Sequence, residues 1–117
     1  MPHPQLQAFR AEPEGPFLAV YPAQPAPGSM ELRFVASIMS PERLAAYNAL
    51  AVQAGPAAVT RLLVNSPPHS HWFMLPVQGF GNSPSAAIDH LRARAAFVVK
   101  ADRRLQALLA AEHLDEV

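Results

Sequence analysis

The chain has 117 residues, which is enough for one domain whose hydrophobic core needs no disulfide or metal. Nine Lys and Arg residues balance nine Asp and Glu residues, so no global basic field attracts nucleic acid or anionic lipid. The absence of cysteine excludes disulfides, a Cys-ligated zinc site and a thiol nucleophile. No signal peptide or bilayer-spanning run is recognisable, so we expect a cytoplasmic protein without a membrane partner.

The N-terminal part is rich in proline. Residues 1–29 hold seven of the thirteen prolines, and this density excludes a helix. The apolar run Phe17–Tyr21 lies between two prolines, which predicts a short edge strand or an extended arm that docks on the core. We therefore expect a Pro-rich arm over 1–29 and a single helix-rich domain over 30–117.

Residues 30–39 allow two interpretations. Their apolar residues alternate with polar ones as in a strand, but Met30, Phe34 and Ile38 also make a helical stripe. The β-branched residues and the stop at Ser40-Pro41 favour the strand.

Two helices are predicted in the middle of the chain. Ser40 is a suitable N-cap, Pro41 suits the first helical position, and Gly55-Pro56 ends the helix. A second, short helix is expected over 57–64. The residues expected on the buried faces are Leu44, Tyr47, Ala51 and Ala54 in the first helix and Val59, Leu62 and Leu63 in the second.

The C-terminal part repeats this pattern. Residues 79–82 read as a turn, and Ser83-Pro84 then starts a helix. A break near 100–102 avoids burying Asp102, which instead caps a last helix. The tail 112–116 is acidic and is expected to fray. The residues expected to be buried are Ile88, Leu91, Ala95 and Val98 in the first of these helices and Leu105, Leu108 and Leu109 in the second.

These elements predict a mainly α fold. We expect a compact bundle of four or five short helices with a Pro-rich N-terminal arm and one or two short strands. The alternative is an α+β fold, if residues 30–39 and the Phe17–Tyr21 run both form strands.

Aromatic residues are concentrated in one segment of the chain. Trp72, Phe73 and Phe80 lie among prolines and glycines, together with Met74. Such a cluster packs in the core or, where it is exposed, forms a hot spot for binding another protein.

Basic residues form a local cluster near the C-terminus: Arg92, Arg94, Lys100, Arg103 and Arg104. This cluster is compatible with nucleic-acid binding, with a carboxylate-rich protein partner or with an ordinary solvated helix face. The neutral chain and the lack of interleaved aromatics favour the protein partner.

Signals for catalysis or cofactor binding are weak. No serine lies in a Gly-x-Ser-x-Gly elbow, and no paired acids have a suggestive spacing, so we expect no enzyme and no catalytic residues. His69 and His71 have metal-chelating spacing but no evident third ligand. Gly79-x-Gly81 lacks the lysine of a phosphate-binding loop. We therefore expect no metal and no cofactor.

One stretch resembles a known family. The pattern Trp72-Phe73-x-x-Pro76-x-x-x-Phe80-Gly81-Asn82-Ser83-Pro84-x-x-Ala87-Ile88 is similar to the toxin-binding domain of Xre/MbcA/ParS-type antitoxins, which neutralise RES-domain toxins. The spacing from Trp72 to Pro84 is about one residue short of that pattern. The resemblance implies a compact, mostly helical domain that occludes an NAD-consuming toxin. No DNA-binding helix-turn-helix is recognisable ahead of it.

These observations predict a non-enzymatic protein-binding module, and the resemblance implies an antitoxin-like protein that neutralises a partner toxin. The residues expected to contact the partner are Trp72, Phe73, Phe80, Arg92, Arg94, Arg103 and Arg104. The alternatives are a small nucleic-acid-associated regulator and a phage- or plasmid-type inhibitor of a host complex. A near-neutral, apolar chain of this size also favours homo-oligomers.

Overall fold

The structure is a computed structural model that describes residues 6–23 and 33–117. Its helices are α1 (Pro41–Ala54), α2 (Pro56–Asn65), α3 (Pro84–Ala95) and α4 (Arg103–Ala110). Its strands are β1 (Gln7–Arg10), β2 (Phe17–Ala23), β3 (Arg33–Met39), β4 (Gly79–Gly81) and β5 (Asp115–Glu116). No helix in this part of the chain is long and apolar enough to cross a membrane.

The strands form one antiparallel sheet in the order β4-β3-β2-β1-β5. The fold is therefore α+β, and the prediction of a mainly α bundle is wrong. The error comes from the N-terminal half, where proline density concealed strands. Phe17–Tyr21 belongs to the strand at the centre of the sheet, not to an edge strand or a docked arm. The boundary expected after residue 29 lies outside the described residues.

The sheet lies between two helical layers because both of its faces are apolar. Alternate residues of β2 and β3 point to opposite faces. Leu18, Val20 and Ile38 pack with α3 and α4, whereas Ala19, Tyr21 and Met39 pack with α1, α2 and the loop after α2. A central strand buried on both faces reads as a continuous apolar run, and this explains why alternation does not reveal it.

One buried polar pair joins the two central strands. The hydroxyls of Tyr21 and Ser37 are 3.1 Å apart, and both residues are fully buried. Burial raises the pKa of Tyr21 to about 12, and the hydrogen bond to Ser37 opposes this only in part. The two neutral hydroxyls therefore satisfy each other by a hydrogen bond inside the core.

The predicted caps at the helix starts and the stop at Gly55 are confirmed, whereas α3 ends at Ala95, ahead of the break expected near 100–102. Ser40, Ser83 and Asp102 each accept a hydrogen bond from the main-chain N–H three residues ahead, which caps α1, α3 and α4. Gly55 separates α1 from α2 with a φ of 92°, a conformation that favours glycine. Residues 33–39 form a strand, which is the interpretation that the sequence favoured over a helix.

Some buried faces were predicted wrongly. Leu62 and Val98 are 45% and 50% exposed, and Ala54 is exposed, whereas the remaining residues of the predicted faces are buried or half-buried. The acidic tail does not fray, because β5 pairs with β1 and the Val117 N–H donates to the Ala8 carbonyl (2.9 Å).

Residues 79–81 form a short edge strand, not the predicted turn. A Cβ on Gly79 would lie 2.2 Å from the Ala87 carbonyl oxygen, and one on Gly81 would lie 2.6 Å from the Ala87 nitrogen. The two glycines are therefore required because the backbone of α3 presses directly on β4, not because the chain turns there.

Candidate functional site

Helix α3 has one buried side and two flanks. Ala87, Leu91 and Ala95 are fully buried against the sheet. One flank, which carries His90 and Arg94, runs along the outer edge of β4. The other flank carries Arg92 and faces the C-terminal segment. The two flanks present different chemistry and are described separately.

On the first flank, α3 side chains cap the edge of the sheet. The Phe80 N–H donates to Nδ1 of His90 (3.0 Å), and Nη1 of Arg94 donates to the Gln78 carbonyl (2.8 Å). His90 and Arg94 are four residues apart, so they lie on the same side of the helix. Main-chain groups on an edge strand otherwise invite pairing with another strand. The two side chains therefore occupy one N–H and one carbonyl that an added strand would need.

Two aromatic side chains lie exposed beside these caps. Phe80 on β4 is 43% exposed, and its ring centroid is 6.2 Å from that of His90. Phe97 is 78% exposed in the turn that continues α3, where the Val99 N–H still donates to Ala95. Phe97 follows Arg94 by three residues and so extends the same flank. We call Phe80, His90, Arg94 and Phe97 the edge surface.

The edge surface combines aromatic area with a positive group. At 1.5 Å per residue, Phe97 lies about 10 Å beyond His90 along the helix, so the aromatics mark two ends of the surface. Within residues 6–23 and 33–117, no carboxylate lies within 4.0 Å of the Arg94 guanidinium. Aromatic residues and arginine are the types enriched at the centres of protein interfaces. This composition is typical of a surface that contacts another protein.

Phe80 also borders a small recess on the opposite face of the sheet. This recess has a volume of about 200 Å³, and it is lined by Phe80, Val64 and Arg33 over a floor that includes Tyr21 and Val35. Phe80 pairs with Val35 in the sheet, and Val64 of α2 forms another wall of the recess. The recess enlarges the apolar area next to the edge surface.

The other predicted aromatic residues do not contribute to this surface. Trp72 and Phe73 are 6% and 8% exposed and pack against Tyr21, Met39 and Leu63 in the core. Their side chains are therefore not available at the surface for a partner. Of the Trp72–Pro84 loop, Phe80 alone is both aromatic and exposed.

The predicted basic cluster is dispersed rather than gathered. Arg92 and Arg94 lie on opposite flanks of α3 and bond to the carbonyls of Ala111 and Gln78. Arg104 pairs with Glu14 at 3.5 Å, and both side chains are largely exposed, so this ion pair contributes little stability. Lys100 and Arg103 are exposed near the start of α4. Only Arg94 lies on the edge surface.

The histidines of the His-x-His pair are both exposed, and His71 stacks on Trp72 with ring centroids 5.6 Å apart. Across the described ranges, no three His, Asp or Glu side chains are grouped so as to hold a metal ion. The 79–81 segment has no free anion-binding loop, because the helix backbone occupies the space in front of its glycines.

Sequence reasoning missed Phe97 and the role of His90. Phe97 carried a usable signal: it follows Arg94 by three residues, on the polar side of an otherwise amphipathic helix. An aromatic residue at that position has no core to pack against. The cap at His90 had no such signal, since it depends on the register between β4 and α3.

Comparison with protein-family models, with curated proteins and with solved structures gives no significant match to this chain.

Proposed function

We propose that this protein is a non-enzymatic protein-binding module and that its edge surface contacts the partner. The observation that carries the proposal is the pair of exposed aromatics, Phe80 and Phe97, on either side of Arg94, which no carboxylate of residues 6–23 and 33–117 contacts. Exposed apolar residues that occur singly are ordinary, but a surface of this composition matches the hot spots of protein interfaces.

The capped edge determines how a partner binds. Because His90 and Arg94 occupy the Phe80 N–H and the Gln78 carbonyl, a partner strand would have to displace both side chains to pair with this edge. Recognition therefore uses side chains, with the two phenylalanine rings entering apolar pockets on the partner. Among the described residues, the Arg94 guanidinium donates only to the Gln78 carbonyl, and the donors that this bond does not use suit a partner carboxylate.

These features favour an acidic, apolar protein surface over nucleic acid. A nucleic-acid interface needs several cations on one face to neutralise successive phosphates, whereas the arginines here are dispersed around α3 and α4. A RES-type toxin is one partner that fits the antitoxin-like part of this proposal, and a second copy of the chain is another.

Affinity capture tests the proposal. Tagged wild-type protein is compared with Phe97→Ser and with the matched control Val52→Ser, since Val52 on α1 is 88% exposed and lies away from the edge surface. We expect one stoichiometric protein that is lost with Phe97→Ser and retained with Val52→Ser. A partner retained by both variants contradicts the assignment of the surface.

Co-expression tests the toxin partner separately. A RES-domain toxin encoded beside this gene is produced with wild-type protein or with Phe97→Ser. If the chain is its antitoxin, wild type restores growth and Phe97→Ser does not. Growth arrest with both proteins removes the toxin as the partner while leaving other proteins open to capture.

A further inference from the structure

The second flank of α3 forms one side of a groove next to the C-terminal segment. The groove has a volume of about 340 Å³. Its apolar wall comes from Phe9 on β1, Ile88 on α3 and Leu114 ahead of β5, and all three side chains are half-buried. Ligand sites for small molecules begin at about 300 Å³ and combine apolar walls with a few polar groups.

Arg92 provides the cationic end of this groove. Its Nη2 donates to the Ala111 carbonyl (3.0 Å), which holds the side chain against the C-terminal segment. Its Nε is buried and has no hydrogen-bond partner. A buried donor left without an acceptor is destabilising, so this guanidinium is incompletely satisfied by the described protein atoms.

Two carboxylates line the same groove but do not neutralise Arg92. Asp89 and Glu112 are both exposed lining residues. The ion pair between Arg104 and Glu14 is the only one within 4.0 Å in the described part of the chain, so Arg92 forms none with either acid. Asp89 precedes Arg92 by three residues on α3, and Glu112 follows Ala111, whose carbonyl Arg92 binds. Groups of opposite charge therefore lie near one another beside the apolar wall of the groove, without forming an ion pair among the described residues.

We propose that this groove binds a free apolar α-amino acid. The ligand carboxylate bonds to the Arg92 guanidinium, its ammonium group faces Asp89 and Glu112, and its side chain packs on Phe9, Ile88 and Leu114. A zwitterion with an apolar body is the ligand class that matches all three parts. A simple anion would be repelled by the two carboxylates, and a simple cation would leave the guanidinium without an acceptor. The site is independent of the edge surface.

Binding is tested with L-leucine and L-phenylalanine by isothermal titration and by two-dimensional NMR of the labelled full chain. We expect saturable binding that perturbs resonances of residues 85–92 and 111–114. Isoamylamine lacks the carboxylate and 4-methylpentanoate lacks the ammonium, and each should bind at least about tenfold more weakly than leucine. No saturation by about 10 mM of either amino acid overturns the proposal.

Variants separate the charged ends. Arg92→Gln should abolish leucine binding, and Asp89→Asn with Glu112→Gln should weaken it about tenfold while leaving 4-methylpentanoate binding unchanged or stronger. The acidic pair is exposed, so its replacement keeps the fold even if Arg92→Gln does not. The matched control is Glu42→Gln on α1, which should bind leucine as wild type does. Equal affinity in all variants contradicts the site.

Discussion

Replacing Gly79 with alanine tests the close approach that fixes β4 under α3. The new Cβ would lie 2.2 Å from the Ala87 carbonyl oxygen and 2.3 Å from the Leu91 nitrogen. Both atoms belong to the helix backbone and cannot rotate away. Ordinary contacts of a Cβ are 3.4–4 Å, so α3 must retreat by roughly 1 Å from the sheet.

The retreat has a calculable effect on stability. A gap of up to about 1 Å removes a quarter to a half of the dispersion energy of each contact, and a buried leucine such as Leu91 makes about 40–60 contacts worth 0.1–0.2 kcal/mol each. This loss of dispersion energy agrees with the usual cost of overpacking a core, and we take about 3 kcal/mol as the expected decrease in the free energy of unfolding. For a chain of this size that lowers the melting temperature by about 12 °C.

Thermal and urea unfolding followed by circular dichroism measure this change. Gly55→Ala is the matched control, because a Cβ there meets nothing within 4 Å and only the positive φ is unfavourable. Its φ of 92° and ψ of 145° form a combination that almost only glycine adopts, so we expect Gly55→Ala to lower the free energy of unfolding by about 2 kcal/mol. If Gly79→Ala destabilises no more than Gly55→Ala does, the helix does not press on β4 as described.

Three further outcomes follow from the structure. The pKa of Tyr21 is raised to about 12, so the unfolded chain loses this proton at a lower pH than the folded chain does. Tyr21 should therefore lower the free energy of unfolding by about 1.4 kcal/mol per pH unit between about pH 10 and 12. Urea unfolding across that range should show a smaller dependence on pH in the double variant Tyr21→Phe with Ser37→Ala, and an equal dependence contradicts this. Asp102→Ala should lower the free energy of unfolding by about 1 kcal/mol, whereas Asp102→Asn keeps the cap and nearly all of the stability; equal losses in calorimetry would show that charge, not capping, is responsible. The double variant His90→Ala with Arg94→Ala removes both caps from the edge of β4. It should self-associate more than wild type does, which light scattering measures as a larger molecular mass. An unchanged mass would show that the caps do not protect this edge.

Local signals in the sequence located the helices well. A serine or aspartate at the N-cap, a proline at the first helical position and a glycine at the end act within a few residues, so Ser40, Ser83 and Asp102 could be assigned without tertiary information. The strand over 33–39 was favoured for a similar local reason, because Ser40-Pro41 ends it.

The sheet as a whole was not predictable in the same way. β2 is buried on both faces and begins next to a proline, so its sequence lacks the alternation of a half-buried strand. The edge strand β4 resembled a turn in the sequence, because its glycines are required by close contact with the backbone of α3, which comes later in the chain. Both features depend on contacts between distant elements, which composition and spacing do not encode.

The candidate site was predictable only in part. Phe80 and Arg94 were named from their residue types, and both lie on the edge surface. Trp72 and Phe73 have the same residue character but pack in the core, since the loop after α2 folds back over the sheet and the Met74 N–H donates to the Ile38 carbonyl (2.8 Å). Residue type alone does not distinguish an exposed aromatic from a buried one.

Site-specific photo-crosslinking measures the central proposal most directly. A photoreactive amino acid replaces Phe97 on the edge surface in one protein and Val52 on α1 in another, and both proteins are irradiated in the cells that normally produce the chain. If the edge surface is the binding site, we expect one discrete crosslinked protein from position 97 and none from position 52. The same products from both positions, or none from position 97 while a partner is captured intact, would contradict it.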